Sequence, residues 1–267
     1  MSTLPEPATT AGEQRATVPD RPVLRAEVLL VLGVSLGASA VYSLVSILGR
    51  LTAGTSLAEQ NATLNGSAAP GRPWLDLTYQ LLGVVFALVP ALLALHLLNR
   101  TDPPALRTVG LDLREPAADV ARGVALAALI GIPGLGLYLV SHALGLNATV
   151  VPAALPEVWW AIPVLVLAAL QNSLLEEIVV VGYLLKRLDQ LGVSRWAGVG
   201  ISAVLRGSYH LYQGFGGFVG NLAMGLVFGA AYRRWGRVGP LAVAHTLLDV
   251  VAFVGYAVLR GKVSWLP

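Results

Sequence analysis

Apolar positions in this chain fall in long, nearly unbroken runs and not in the spaced stripes of a half-buried surface helix or strand. The runs at 28–48, 75–98, 124–144 and 158–185 each reach the roughly 20 residues that an α-helix needs to cross a bilayer. Shorter runs follow at 196–212, 215–231 and 240–259. Polar connections rich in Arg, Pro and Gly separate them. The pattern predicts an all-α polytopic transmembrane helix bundle of about seven spans. The fourth span is the longest, about 42 Å of helix against a hydrocarbon core of about 30 Å. It must tilt or bend, and Pro163 and Gly182 are the expected bends. The fifth is short, and Gly214-Phe215-Gly216-Gly217-Phe218 separates it from the sixth.

The first residues are different. Polar residues with Pro5, Pro7, Pro19 and Pro22 bury little, so 1–24 reads as a disordered tail and 25–267 as the transmembrane domain. Ala38-Ser39-Ala40 resembles a signal-peptide cleavage site. The apolar pattern continues past it to Val45, which favours an uncleaved span.

Composition sharpens this picture. The chain has 267 residues, 55% hydrophobic and 12% charged, too few charges to clothe a soluble globule. It has no cysteine, so disulfides and thiolate metal sites are excluded. The net charge of +3 is small and the basic residues are dispersed, which leaves no nucleic-acid footprint. Their placement is informative all the same. Thirteen basic residues, among them Arg25, Arg122, Lys186, Arg187, Arg195, Arg233 and Arg237, fall in the tail and alternate connections. Four (Arg50, Arg72, Arg260, Lys262) fall on the opposite side. The positive-inside rule puts the N-terminus in the cytoplasm and the C-terminus outside. An Ala-, Gly-, Val- and Arg-rich composition points to a bacterial cell membrane.

Ionisable groups in hydrocarbon cost at least about 2.5–3.5 kcal/mol each and so call for an explanation. The last four spans hold six: Glu176, Glu177, Arg206, His210, His245 and Asp249. His96 and His142 lie near span ends and read as interfacial residues. Asn172 and Glu176 are one turn apart and share a face, as do Arg206 and His210, and His245 and Asp249. A His with a carboxylate one turn on is an oriented imidazole. Adjacent carboxylates at depth should take different roles, an acid beside a base. Such groups neutralise one another only by converging in a shared, water-accessible cavity. The depths conflict, however. Glu176 lies about 16 Å and Asp249 about 14 Å from the basic end, whereas His210 lies about 22 Å from it. A steep tilt or a re-entrant fifth segment is required to bring His210 level.

Glu176-Glu177, then Arg206-Gly207-Ser208-Tyr209-His210, then His245-Thr246-Leu247-Leu248-Asp249, in that order, resemble the motifs of the CPBP family of intramembrane proteases. That family takes in the type II CAAX prenyl endopeptidases and the bacteriocin-processing and immunity proteins of the Abi group. The resemblance covers about 158–256, the motif-bearing core. Two positions depart from the family pattern: Val181 stands where arginine is usual, and Arg206 where phenylalanine is usual. The two changes are expected to compensate, a guanidinium lost from the fourth span being resupplied from the fifth.

The resemblance implies an endopeptidase whose active site lies inside the bundle, acting on a membrane-associated or lipidated substrate. Glu176 would be the general base with Glu177 beside it, His210 would hold the water, and His245, oriented by Asp249, would stabilise the oxyanion. Arg206 and Asn172 would support them. No cofactor is favoured. Zinc is the open alternative, on Glu176, His210, His245 and Asp249. The implied partners are a peptide or membrane-protein substrate and membrane lipids. Two readings from other classes stay open. One is a catalytically degenerate scaffold or immunity protein. The other is a proton-coupled transporter using Glu176, Glu177 and Asp249 as a relay.

Overall fold

The structure, a computed structural model, describes residues 19–263. Most of the expected N-terminal tail lies outside the described residues. Its end does not stay irregular: α1 (Arg21–Gly33) takes up residues 21–24, with Pro22 in the first turn, where its missing N–H is no loss. A 53° bend joins α1 to α2 (Leu36–Leu51). A polar connection carries β1 (Asn61–Gly66). Then come α3 (Pro73–Ala87) and α4 (Val89–Asn99), which together form one apolar rod, and the short α5 (Ala105–Thr108). Next is α6 (Pro116–Ala143), followed by β2 (Thr149–Ala154).

The motif-bearing core begins with α7 (Ala161–Glu176), which runs through a π-helical segment (Glu177–Tyr183) into α8 (Leu184–Gln190). These three pieces make one 30-residue helix. Pro163 is in its first turn and makes no bend, contrary to the sequence expectation, because no backbone bond is lost there. Gly182 lies inside the π segment, where an added Cβ would meet Val109 and Val238 at 3.1–3.2 Å. The glycine therefore allows close packing. The chain ends with α9 (Arg195–His210), α10 (Phe215–Trp235) and α11 (Gly239–Leu259). Gly236 closes α10 in the left-handed region, at φ 67°.

Among the described residues, five helices are long and apolar enough to span a membrane, and the bent α1–α2 pair makes six if it is one span. The protein is thus an all-α polytopic bundle. The expected fifth span is the exception: α9 has 16 residues, about 24 Å, less than a hydrocarbon core. It nevertheless runs between the two ends of the bundle, packed between α2 and α10. Helix α7–α8 is the most enclosed of the long helices, and the others carry exposed Leu, Val and Ile on their outer faces.

The connections rich in basic residues meet at one end. Arg187, fully buried, reaches Glu27, Thr101 and the Leu97 carbonyl. Lys186 pairs with Asp102, Arg233 with Asp189, and Arg237 with both Asp112 and Asp119. Arg122 packs over Trp235. At the opposite end β1 and β2 pair in parallel, and Asn147 meets Gly214. Short strands in an otherwise helical chain had no counterpart in the apolar pattern.

The basic end carries a pH signature. Burial pushes the Asp102 and Asp112 carboxyls up. Lys186 and Thr101 at the first, and Arg237 and Arg114 at the second, outweigh it, so both lie below the ordinary carboxylate value. A depressed folded-state pKa stabilises above the unfolded value, and that contribution is lost as pH falls through the folded one. The thermal midpoint in detergent micelles should hold level from neutral pH to about pH 5 and fall below about pH 4. Asp112→Asn should flatten part of that fall.

Candidate active site

Three helices bring the polar cluster together. The π segment starts at Glu177, directly after Glu176. Its wider turn sets the two neighbouring carboxylates differently, and such segments recur at functional sites. Glu177 is fully buried. Its Oε1 accepts from Arg206 Nη2 at 2.7 Å and pairs with His245 Nδ1 at 2.8 Å. Its Oε2 has no protein partner among the described residues.

Glu176 keeps a small exposure and lines a cavity of about 1820 Å³. Its Oε2 accepts from Tyr209 Oη at 2.7 Å and, more loosely, from Arg206 Nη1 at 3.4 Å. Among the described residues, no protein group bonds its Oε1. One glutamate is therefore locked between helices and the other presents a free carboxylate oxygen toward the cavity.

Arg206 holds the pair. Its guanidinium is completely enclosed, faces both carboxylates and packs over the Phe228 ring at 5.4 Å. Glycines make room for it: a Cβ at Gly225 would fall 2.7 Å from the Ala203 backbone, so α9 and α10 approach closely beside the arginine. Nearby, Ser202 donates to the Val180 carbonyl at 2.8 Å, satisfying a backbone acceptor within the π segment.

Helix α11 supplies the imidazole. His245 Nε2 lies 3.8 Å from Asp249 Oδ1, too far for a hydrogen bond. The group that holds the ring directly is Glu177, and the i, i+4 carboxylate acts on it through charge alone. Asp249 Oδ2 instead receives Asn172 Nδ2 at 3.4 Å, across α7 and α11. Ser173 and Thr246 hydroxyls meet at 2.6 Å in the same helix contact.

His210 joins the cavity wall with Glu176, Tyr209, His245 and Asp249. Its Nδ1 is 3.0 Å from the Arg206 carbonyl, so Nδ1 carries the hydrogen and Nε2 is left as an acceptor in the neutral ring. The conflict in depth is resolved by which residue of α9 is level with the acids. Arg206 meets Glu177 directly and Tyr209 reaches Glu176, while His210 sits one residue further along.

Of the residues singled out from sequence, Glu176, Glu177, Arg206, His245, Asp249 and Asn172 are linked by contacts, and His210 faces the shared cavity. Tyr209 was missed. Its spacing of three from Arg206 puts it on the same helical face, which was the available signal. Tyr209→Phe should keep the fold and remove one hydrogen bond from Glu176. If the cluster is catalytic, turnover should fall several-fold to tenfold, with a thermal midpoint within a few degrees of the parent.

The donors of Glu176, Glu177 and His245 lie within 4.8 Å of one another, a spacing that a metal ion could bridge. His210 and Asp249, from the ligand set expected for zinc, do not belong to that group. The donor set fits a dication poorly. Arg206 already occupies Glu177 Oε1 at 2.7 Å, and a second cation there would be repelled at short range in a low-dielectric interior.

Residues 158–251 match the family described as Rce1-like, type II CAAX prenyl endopeptidase Rce1-like. No curated protein and no solved structure is similar enough to match the chain.

Proposed function

We propose that this chain, which belongs through residues 158–251 to the Rce1-like type II CAAX prenyl endopeptidase family, hydrolyses peptide bonds inside the membrane with a glutamate-activated water. The carrying observation is the division of labour between the two glutamates: Glu177 sealed among Arg206 and His245, Glu176 open on one oxygen to the cavity.

Glu176 Oε1 takes a proton from water as the oxygen attacks the scissile carbonyl, and later returns it to the leaving amine. His210 Nε2 accepts a hydrogen of the same water and aims its lone pair. His245 sits between Glu177 and Asp249, and in this reading it carries a proton on both ring nitrogens. Its Nε2–H then faces the developing oxyanion. Arg206 keeps the two carboxylates from repelling each other and fixes the Oε2 edge of Glu176 away from the substrate.

The proposal is metal-free, and its support is the positive charge that Arg206 already sets against both glutamates. Zinc content of the purified protein should be well below one per chain, and a chelator should leave activity intact. The substrate class is a peptide in a membrane setting, lipidated or membrane-anchored. The N-terminus is assigned to the cytoplasm, since the end where Arg187, Arg233 and Arg237 gather is the basic one.

The test is cleavage of quenched-fluorescent peptides, with and without a prenyl group, by the full chain in proteoliposomes. Wild type should cleave and Glu176→Gln should not. Loss of pH-driven solute uptake in the same variant, without any cleavage by wild type, would point to the transporter instead.

A further inference from the structure

The two-stranded sheet at the end opposite the basic cluster has two edges, and they are not alike. In a parallel ladder only one residue of each opposed pair makes both bonds to the neighbouring strand. The Thr149 N–H donates to the Gln60 carbonyl at 2.9 Å, so at the pair Asn61↔Thr149 the bonding residue belongs to β2. Alternation then turns the backbone of Ala62, Leu64 and Gly66 toward β2. It turns Asn61, Thr63 and Asn65 outward. On β2 the outward residues are Val150, Pro152 and Ala154.

The outer edge of β2 is closed. The Val150 N–H donates to the Tyr138 hydroxyl at 3.2 Å, and Pro152 has no N–H. The outer edge of β1 is capped only at its start, where Arg50 donates to the Asn61 carbonyl at 3.1 Å. Beyond that cap, the N–H and C=O of Thr63 and of Asn65 have no protein partner among the described residues. Both residues line the cavity that holds Glu176, His210 and His245.

Unpaired strand backbone is costly in a membrane protein unless it lines a wet cavity or meets a partner. A protease that works in a closed bundle must also hold its substrate extended, because a helical backbone hides the carbonyl that water has to reach. We infer that the Thr63–Asn65 edge of β1 is the substrate-binding strand, and that an extended stretch of the polypeptide substrate adds to it as a third strand. This rests on the hydrolase reading for its substrate. The alternating bonds supply register without sequence preference, and side chains pointing into the cavity supply selectivity.

The double variant Thr63→Pro/Asn65→Pro removes the two outward N–H groups, which edge strands tolerate, together with the Asn65 Nδ2 bond to the Pro152 carbonyl at 2.8 Å. Asn65→Ala, which loses only that side-chain bond, is the control and should bind like its parent. Leu64→Pro removes an inward one and should unfold the sheet. Anisotropy of a fluorescein-labelled ten-residue peptide pool of mixed sequence would be followed with the full chain carrying Glu176→Gln, in detergent micelles. Adding the double proline substitution should weaken binding about tenfold. In the chain with Glu176 restored, KM should rise by a similar factor with kcat within twofold.

Unchanged affinity and KM overturn the inference, as does a change of oligomeric state showing that the edge pairs with a second copy. If the proline variant unfolds, N-methylating alternate amides of the peptide interrogates the same bonds from the other strand, and unchanged affinity again overturns it. The two readings fail separately. Cleavage that requires Glu176 but ignores the prolines sinks the strand alone. Proline-sensitive binding without any cleavage supports the strand and sinks the hydrolase.

Discussion

Glu176→Gln should lower peptide hydrolysis by a factor on the order of 10³ while leaving the fold intact. The amide has the size of the acid and can still accept from Tyr209 through its oxygen, so the 2.7 Å contact survives. What it cannot do is take a proton from water. Glu176 is the carboxylate with the smaller structural burden: it touches Arg206 only at 3.4 Å, and its second oxygen has no protein partner among the described residues. Its thermal midpoint should therefore move by only a few degrees. Glu177→Gln should behave in the opposite sense. That residue anchors both Arg206 and His245 at full burial, so its neutralisation should cost stability first and activity as a consequence. The contrast between the two, read as activity against melting, separates a catalytic acid pair from a merely structural one. Equal losses of stability in both variants would argue for the structural alternative.

Arg206→Ala should be the most destabilising single change in the chain. It leaves two enclosed carboxylates facing each other without a cation, and breaking a buried pair in this way costs roughly 3–5 kcal/mol. The midpoint should drop by on the order of 10 °C. It also removes the packing over Phe228. Arg206→Lys should recover less than half of the loss, because an ammonium cannot reach both glutamates with the same fork.

The departures from the family pattern give a sharper form of this experiment. Val181 is fully buried one turn beyond Glu177, and Arg206 supplies the charge from α9. Arg206→Phe alone should fail, whereas Val181→Arg combined with Arg206→Phe should recover a substantial part of stability. No recovery in the double variant would contradict the idea that the two positions compensate.

Much of this site was legible because ionisable residues in apolar runs have so few explanations. Glu176, Glu177, Arg206, His245 and Asp249 stand out by cost alone, and one-turn spacings put them on defined faces. Tyr209 was not legible, because a tyrosine in an apolar helix reads as packing until its hydroxyl is seen on Glu176. The π segment left no trace either: Ile178-Val179-Val180-Val181 is as good an α-helix or strand core as any. The depth conflict at His210 arose from treating the motif histidine as the residue level with the acids, when Arg206 is. The expected span that falls short of a full crossing length is α9, for a related reason. Hydropathy measures only how apolar a run is, and α9 is short because it packs against protein on two sides. The strands escaped because Asn61-Ala62-Thr63-Leu64-Asn65-Gly66 is a brief polar connection whose pairing partner lies nearly ninety residues away.

Everything rests on one of two adjacent acids meeting water deep inside the bundle while the other does not. The chain contains no cysteine, so a single introduced thiol reports on its own position. In intact vesicles, Glu176→Cys should react with a charged, membrane-impermeant thiol reagent, and Val181→Cys, sealed on the same helix, should stay unlabelled. Failure to label at 176, or equal labelling at both positions, would contradict the account.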